Sequence, residues 1–163
     1  MSLSILPECF GDTEMIKILG FKRANHCSSI GEVANRMKSS YANRLAIGII
    51  DKDKPGNVPL YFNQFELTHD YKHFEVKHLP DTKHYIVIVK PALESFLLNA
   101  SSDLDVSSEK YGFKNLKALK RVTKSQHISK NQNFKNFVNT LKQKKGSPLK
   151  KLLEEVQQII DQN

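Results

Sequence analysis

The sequence predicts an α/β domain with a mainly parallel sheet flanked by helices, followed by a helical extension at its C-terminal end. Two observations carry this prediction. Short apolar runs alternate with segments of helical periodicity in the order βαβαβ, which is typical of parallel sheets with crossover helices. One run, "RLAIGII" at 44–50, is almost continuously apolar, as expected for a strand covered on both faces.

The first half of the chain contains three predicted strands and two predicted helices. Pro7 suits the end of the first strand, since proline is tolerated at strand termini. Asp12 or Thr13 is the predicted N-cap of the first helix, and Gly20 is its predicted end. Ser29 is the predicted N-cap of the second helix. The elements are strands at 2–6, 21–29 and 44–50 and helices within 12–21 and 29–41.

The second half is predicted to add two further strands and four helices. Pro91 and Pro148 are each placed in the first turn of a helix, where the N–H that proline lacks would have no partner anyway. Ser147 is the predicted N-cap of the last helix. The elements are a loop at 53–59, a helix or strand at 61–67, strands at 73–79 and 84–90, and helices at 91–101, 113–123, 131–144 and 148–161.

Charge divides the sequence into two parts. Residues 110–151 contain 13 lysine and arginine residues and no acidic residue, whereas residues 1–109 contain 12 basic and 14 acidic residues. This asymmetry favours a polyanionic partner for the basic part, with a solvated lysine-rich surface as the alternative. We therefore divide the chain into an α/β domain at 1–100 and a lysine-rich helical extension at 101–163, packed on the domain or appended to it.

Other features of the sequence argue against several classes of protein. No apolar run approaches the ~20 residues of a membrane span, and the N-terminus lacks the pattern of a signal peptide. We therefore expect a cytoplasmic protein with no membrane partner. Cys9 and Cys27 are the only cysteines and show no paired spacing, which argues against a zinc site or a disulfide framework.

Three carboxylates follow the ends of predicted strands. Asp51 and Asp53 come directly after the strand at 44–50, and Glu8 follows the first strand. Because the carboxyl ends of parallel strands meet at one edge of a sheet, these side chains are expected to share one crevice. Like charges that close together repel, and carboxylate oxygens suit Mg²⁺, so a divalent cation is expected between them.

Two motifs contain these carboxylates. "ECFGDTEMIKILG" begins at Glu8, and "GIIDKDK" supplies an Asp-x-Asp 43 residues later. Both motifs resemble those of the Toprim family, the catalytic domain of topoisomerases, bacterial primases, OLD-type nucleases and small ribosomal-RNA maturases. The family has a glutamate after its first strand, an acidic residue four positions on, and an Asp-x-Asp after a buried strand. These positions match Glu8, Asp12, Asp51 and Asp53. "KPALESFLL" resembles the Pro-x-Leu-Glu stretch after the last core strand, which adds Glu94.

The resemblance implies a Toprim-like, Rossmann-like fold over roughly residues 1–100. It also implies a small nuclease, dependent on Mg²⁺ or Mn²⁺, that hydrolyses phosphodiesters of DNA or RNA. Glu8 is implied as the catalytic acid or base, or as a metal ligand. The implied metal ligands are Asp51, Asp53, Asp12 and Glu94. Cys9 stands where the family has glycine, and Gly11 is expected to supply the flexibility of the turn instead.

The basic extension is expected to bind the phosphate backbone of a nucleic acid without reading its sequence. The predicted contacts are Lys114, Lys117, Lys120, Arg121 and Lys124. Phosphate charge near the acidic crevice is expected to be neutralised by one of Lys52, Lys54 and Lys90. Phe113, Phe134 and Phe137 are core candidates because of their helical spacing, with base stacking as the alternative. A partner protein such as an ATPase is a further expectation, and the oligomeric state stays open.

Besides an unrelated α/β domain with a charged loop, three alternative interpretations remain open. The first is a non-catalytic nucleic-acid-binding module with a degenerate Toprim site. The second arises because "EVK" at 75–77, downstream of Asp51, resembles the Asp…Glu-x-Lys layout of restriction-like nucleases. The third places His69 and His73 on one helix face as zinc ligands, although no third ligand with suitable spacing follows.

Overall fold

The computed structural model describes residues 4–53, 56 and 58–163, which contain five strands and six α-helices. The strands are β1 (Ser4–Pro7), β2 (Ala46–Asp51), β3 (Glu66–Asp70), β4 (Phe74–His78) and β5 (His84–Val89). The helices are α1 (Phe10–Leu19), α2 (Ile30–Lys38), α3 (Leu93–Asp103), α4 (Leu116–Thr123), α5 (Gln132–Gln143) and α6 (Pro148–Asp161). Short 3₁₀ segments lie at Leu60–Gln64, Ser108–Tyr111 and Ile128–Lys130.

The strands form one mixed sheet in the order β1-β2-β5-β4-β3. β2 pairs in parallel with β1 and with β5, whereas β4 pairs antiparallel with β5 and with β3. The predicted α/β class is confirmed, but the sheet is mixed instead of mainly parallel. The physical reason is that β3, β4 and β5 follow one another through short connections, which can join only antiparallel neighbours. The parallel part, β1, β2 and β5, brings three carboxyl ends to one edge.

The central strands are buried on both faces of the sheet. Alternate side chains of β2 and β5 belong to two separate hydrophobic clusters. One cluster includes Val33 and Met37 of α2, and the other includes side chains from α1 and from α3 to α6. The continuous apolar run in β2 is thereby explained, because a strand covered on both faces has no solvent-facing side.

The helices of the lysine-rich extension share a hydrophobic cluster with the sheet. Phe113, Phe134 and Phe137 are buried in the same cluster as Ile47 and Val87. The rings of Phe113 and Phe137 pack with their centroids 5.4 Å apart. These phenylalanines are therefore core residues, as their spacing predicts, and their rings are not exposed to stack on bases.

Several helix boundaries agree with the sequence. Gly20 ends α1 with a φ of 120°, a conformation that side-chain-bearing residues rarely adopt. Ser29 caps α2 by accepting from the Glu32 N–H, and Ser147 caps α6, whose first residue is Pro148.

None of the helices in the described ranges is both long enough and apolar enough to cross a membrane.

The predicted strand at 21–29 is wrong. Cys27 is the only buried residue of this stretch, so no alternating apolar face stabilises a strand. The stretch instead follows the outer edge of β1, where the N–H groups of Asn25 and Cys27 donate to carbonyls of β1. It therefore covers part of an otherwise open sheet edge.

Two helix starts also differ from their predictions. Cys9, and neither Asp12 nor Thr13, caps α1, because its Sγ accepts from the Asp12 N–H while both predicted caps are buried within the first turn. α3 begins at Leu93, so Pro91 precedes the helix instead of opening it.

Some predictions fall outside the described residues. They concern the first two residues of the predicted strand at 2–6, part of the predicted loop at 53–59, and Lys54.

Candidate functional site

The parallel strands bring acidic residues from distant parts of the sequence to one edge of the sheet. Glu8 directly follows β1, Asp51 ends β2, and Asp12 lies in the first turn of α1. The Glu8 N–H donates to the carbonyl of Ile49 at 3.1 Å, which extends the pairing of β1 with β2 by one residue. Glu8 is therefore held beside the end of β2 by the backbone itself.

Glu8, Asp12 and Asp51 form what we call the acidic cluster. One carboxylate oxygen from each residue lies within 4.8 Å of the other two. Glu8 is 1% exposed and Asp12 is 0% exposed. Three negatively charged groups so close together, two of them removed from water, are unfavourable without a cation.

Hydrogen bonds fix the carboxylates of the acidic cluster. Asp51 Oδ1 accepts from the Leu93 N–H at 2.9 Å, which satisfies the first N–H of α3, and the Asp51 N–H donates to Glu8 Oε1 at 3.4 Å. The Cys9 thiol donates to Asp12 Oδ2 with an Sγ–Oδ2 distance of 2.9 Å. Asp12 Oδ1 is buried and has no hydrogen-bond partner among the described residues. A buried carboxylate oxygen without a partner costs about 1–3 kcal/mol or more, so a ligand at this oxygen would be stabilising.

The same surroundings shift the pKa values of two groups. Burial raises the pKa of Asp12 well above its usual value, the Asp51 charge raises it further, and Glu8 and Glu94 add smaller contributions. The hydrogen bond from Cys9 acts in the opposite direction. Burial also raises the pKa of the Cys9 thiol, which is therefore protonated at neutral pH and able to donate. A cation would reverse the effect on Asp12 by favouring its ionised form.

The acidic cluster can hold a metal ion. Its donors are carboxylate oxygens, the ligands that Mg²⁺ and Mn²⁺ prefer over nitrogen or sulfur. The unpartnered Oδ1 of Asp12 is the atom whose burial such an ion would compensate. The residues present therefore fit a hard divalent cation.

Glu94 and Asp53 line the same pocket without joining the acidic cluster. Glu94 lies in the first turn of α3, where Oε1 accepts from Thr123 Oγ1 at 2.5 Å. Asp53 is exposed, and its N–H donates to the carbonyl of Pro91 at 2.8 Å. Because β2 ends at Asp51 and the chain turns immediately afterwards, Asp53 does not continue the extended backbone on which the Asp-x-Asp expectation depends.

A pocket of about 470 Å³ opens at the acidic cluster. Glu8 and Asp51 form part of its wall, and Lys120 and Lys124 contribute cations from the C-terminal end of α4. The pocket therefore carries both signs of charge, with buried carboxylates at Glu8 and Glu94 and lysines that are exposed to solvent. An anion that enters it can contact the lysines while a cation occupies the acidic cluster.

α4 is tied to the wall of the pocket by a buried contact. Thr123 is 1% exposed and donates to Glu94, and it also packs against α1 at Gly11. A Cβ atom on Gly11 would lie 2.6 Å from Leu93 Cδ2 and 2.9 Å from Thr123 Cβ, closer than side chains pack. Gly11 is therefore required for the close approach of α1 to α3 and α4, and the prediction that it supplies turn flexibility is wrong. Its position inside α1 explains why.

The five cations predicted to bind nucleic acid are all exposed; they are Lys114, Lys117, Lys120, Arg121 and Lys124. Lys120 and Lys124 line the pocket, whereas the other three lie outside its wall. Within the described ranges, none of the five forms an ion pair with a carboxylate. Their charges are therefore available to an external anion.

Lys52 and Lys90 lie in a different setting. They line a second pocket of about 590 Å³, which shares Asp53 with the first. Lys52 pairs with Glu75 at 3.1 Å, and Lys90 pairs with Asp70 at 2.6 Å. Because both lysines already have carboxylate partners, they are weaker candidates for phosphate binding than Lys120 and Lys124.

The residues of the restriction-like pattern and of the histidine pair do not form the sites that those patterns imply. Glu75 of "EVK" pairs with Lys52 and Lys77 and lies outside the acidic cluster. His69 and His73 do not share a helix, since His69 lies in β3 and His73 in the turn before β4. The two histidines contact different carboxylates. His69 lies 3.4 Å from Glu155, and His73 lies 2.8 Å from Asp103.

Four residues of the site have no clear signal in the sequence. Cys9 is visible only as a departure from a motif, and Thr123 lies 29 residues beyond its partner Glu94. Phe10 and His26 form a stacked pair at the pocket wall, although Phe10 precedes the predicted helix within 12–21 and His26 lies in the stretch predicted as a strand. These contacts depend on tertiary packing, which local patterns do not encode.

No family model matches this chain, and neither a curated protein nor a solved structure is significantly similar to it. The resemblance to the Toprim family rests on the motifs quoted above, and the activity it implies is a proposal.

Proposed function

We propose that this protein is a Toprim-type nuclease that hydrolyses phosphodiester bonds in DNA or RNA, with Mg²⁺ or Mn²⁺ held by Glu8, Asp12 and Asp51. The observation that carries the proposal is the convergence of these three carboxylates, together with a buried oxygen of Asp12 that has no hydrogen-bond partner in the described part of the chain. Lys120 and Lys124 in the same pocket support a polyanionic substrate. An acidic cluster alone would repel a phosphodiester, so the two features are best explained together by a bound cation.

The residues of the pocket have distinct roles in this proposal. When bound, Mg²⁺ supplies polarisation of the phosphoryl group and neutralises charge that develops on it. Glu8 is the carboxylate we assign to proton transfer, as base toward the attacking water or as acid toward the leaving oxygen. Lys120 and Lys124 hold phosphate oxygens as point charges. Glu94, fixed by Thr123, and Asp53 are the carboxylates available for a second ion at the pocket wall.

The direct test is incubation of the purified protein with end-labelled single-stranded DNA, duplex DNA and RNA, each with Mg²⁺ and with EDTA. The proposal expects shorter labelled fragments of at least one substrate with Mg²⁺ and none with EDTA. Intact substrates under all conditions, from protein that still binds them, would contradict it.

A non-catalytic nucleic-acid-binding module is the second candidate, and one observation favours it. The Cys9 thiol already satisfies Asp12 Oδ2, so one oxygen of the acidic cluster is occupied without a metal. In that case calorimetry would detect neither Mg²⁺ nor Mn²⁺ binding, and Asp51→Ala would leave the affinity for nucleic acid unchanged. The nuclease requires the opposite result in both measurements.

Replacing Lys120 and Lys124 together with alanine is expected to weaken binding of single-stranded DNA and to flatten its salt dependence. The slope of log affinity against log salt concentration should fall in magnitude by about 1.4, because each phosphate contact contributes roughly 0.7 on single strands. Fluorescence anisotropy titrations over a series of salt concentrations, without divalent ions, measure this slope. A double variant of Lys144 and Lys145, which are exposed but do not line the pocket, is the matched control. Equal slopes for both double variants would count against the assigned contacts.

A further inference from the structure

A stacked aromatic pair forms one wall of the pocket at the acidic cluster. Phe10 is the first residue of α1, and His26 lies in the stretch that follows the edge of β1. Their ring centroids are 4.2 Å apart and their planes differ by 10°. Thr13 Oγ1 lies 3.2 Å from His26 Nδ1, so a hydrogen bond between His26 and the same helix fixes the imidazole against the phenyl ring. The pair is thus held in place before any ligand arrives.

The Phe10 side chain is partly exposed and is not part of the hydrophobic core. It is 37% exposed although His26 stacks on its ring. It belongs to neither hydrophobic cluster of the sheet. A large aromatic side chain that is exposed beside polar groups, and held rigidly, is typical of a contact surface for a ligand.

The other walls of the pocket indicate the kind of ligand. Lys120 and Lys124 offer positive charge, and Glu8 and Asp51 belong to the acidic cluster that can hold a cation. Cations suit phosphate groups, whereas a flat aromatic ring suits the face of a nucleobase. Phosphate binding and base stacking together describe a nucleotide unit within a strand.

We propose that the Phe10–His26 pair stacks on an unpaired nucleobase, so that the substrate at this pocket is single-stranded nucleic acid or a strand with an extruded base. The proposal rests on the proposed function in that it takes the pocket as the nucleic-acid site. Inside a duplex both faces of each base are covered by its neighbours, so an internal base must be unstacked before it can contact Phe10. Lys120 and Lys124, which line the same pocket, then hold the phosphates of that strand.

The test compares two probes of equal charge, a fluorescent twelve-nucleotide thymidine strand and a fully abasic strand of the same length. Fluorescence anisotropy without divalent ions measures both affinities. The wild-type protein should bind the thymidine strand about tenfold more tightly than the abasic strand, within the range of measured base–aromatic stacking. Phe10→Ala should remove most of this difference, and Phe10→Tyr, which keeps a ring, should retain it. An oligouridine strand should behave like the thymidine strand, because stacking requires a base face and not a particular sugar.

The decisive comparison is the ratio of the two affinities. A ratio that is the same for the wild type and Phe10→Ala would overturn the proposal. This includes the case in which Phe10→Ala weakens binding to the thymidine strand and to the abasic strand by the same factor. Phe10 is exposed and outside the core, so the alanine variant is expected to fold, and His26→Ala provides a second variant that should also lower the ratio. Cleavage assays on the same samples separate the two proposals. Cleavage with an unchanged ratio overturns only the stacking site, whereas a changed ratio without cleavage supports the stacking site and contradicts the nuclease.

Discussion

Replacing Glu8 with glutamine is expected to reduce metal-dependent hydrolysis of nucleic acid by about 10²- to 10⁴-fold, the usual contribution of a positioned acid or base. Glutamine has nearly the same shape and retains an oxygen that can accept from the Asp51 N–H, so the connection between β1 and β2 is preserved. What is lost is the negative charge and the ability to exchange a proton. The measurement is the single-turnover rate of cleavage of a labelled oligonucleotide with Mg²⁺.

Glu154→Gln is the matched control for this variant. Glu154 is exposed on α6, so the same chemical change there removes one charge without altering the pocket. Its cleavage rate should equal that of the wild type. If Glu8→Gln retains the wild-type rate as well, Glu8 has no role in proton transfer and does not act as a required metal ligand.

Asp12→Asn is expected to stabilise the metal-free protein and to reduce the stabilisation that Mg²⁺ provides. Without metal the variant should be more stable than the wild type at neutral pH by about 1–3 kcal/mol, because it removes a buried ionisable group with an oxygen that has no hydrogen-bond partner among the described residues. The asparagine amide can also donate to a neighbouring carboxylate. With Mg²⁺ at a hundred times its Kd the wild type should gain about 2.7 kcal/mol, and the variant much less. Urea unfolding with EDTA and with Mg²⁺ measures both differences.

The pH dependence of stability follows from the raised pKa of Asp12. Since the folded-state pKa lies above the unfolded value, folding takes up a proton at pH values between the two. Metal-free wild type should therefore lose stability as the pH rises from about 4, the unfolded pKa, through the raised folded value. Asp12→Asn should lack this loss, and Glu66→Gln, a change on the exposed strand β3, should keep it. A wild type and an Asp12→Asn variant with parallel pH profiles would contradict the electrostatic account of the acidic cluster.

Much of the fold was accessible from local patterns. β2 and β5 have long apolar runs, and α2 and α6 have side-chain caps and amphipathic spacing, so each was predicted close to its observed position. The antiparallel placement of β4 was not predicted, because strand direction depends on pairing between elements and not on periodicity within one. The covering segment at 21–29 was missed for a related reason, since its backbone hydrogen bonds to β1 need no apolar side chains.

The candidate site was predictable only in part. Glu8 and Asp51 each follow a strand, so the general rule for parallel strands is sufficient to place them at one edge. Asp12 joins them because α1, capped by Cys9, begins before the predicted helix within 12–21. Asp12 therefore lies in the first helical turn, at that edge. The contact of Thr123 with Glu94 links the extension to the site through packing against Gly11, and no local pattern indicates it.

A crystal soaked with Mn²⁺ tests the central claim most directly, because anomalous scattering locates the ion without reference to activity. If the three acids share a cation, one strong anomalous peak is expected roughly 2 Å from carboxylate oxygens of Glu8, Asp12 and Asp51. The same soak of Asp51→Asn crystals should show a much weaker peak. A well-ordered acidic cluster with no peak, or with manganese bound only at other carboxylates, would contradict the claim that these three acids share a divalent cation.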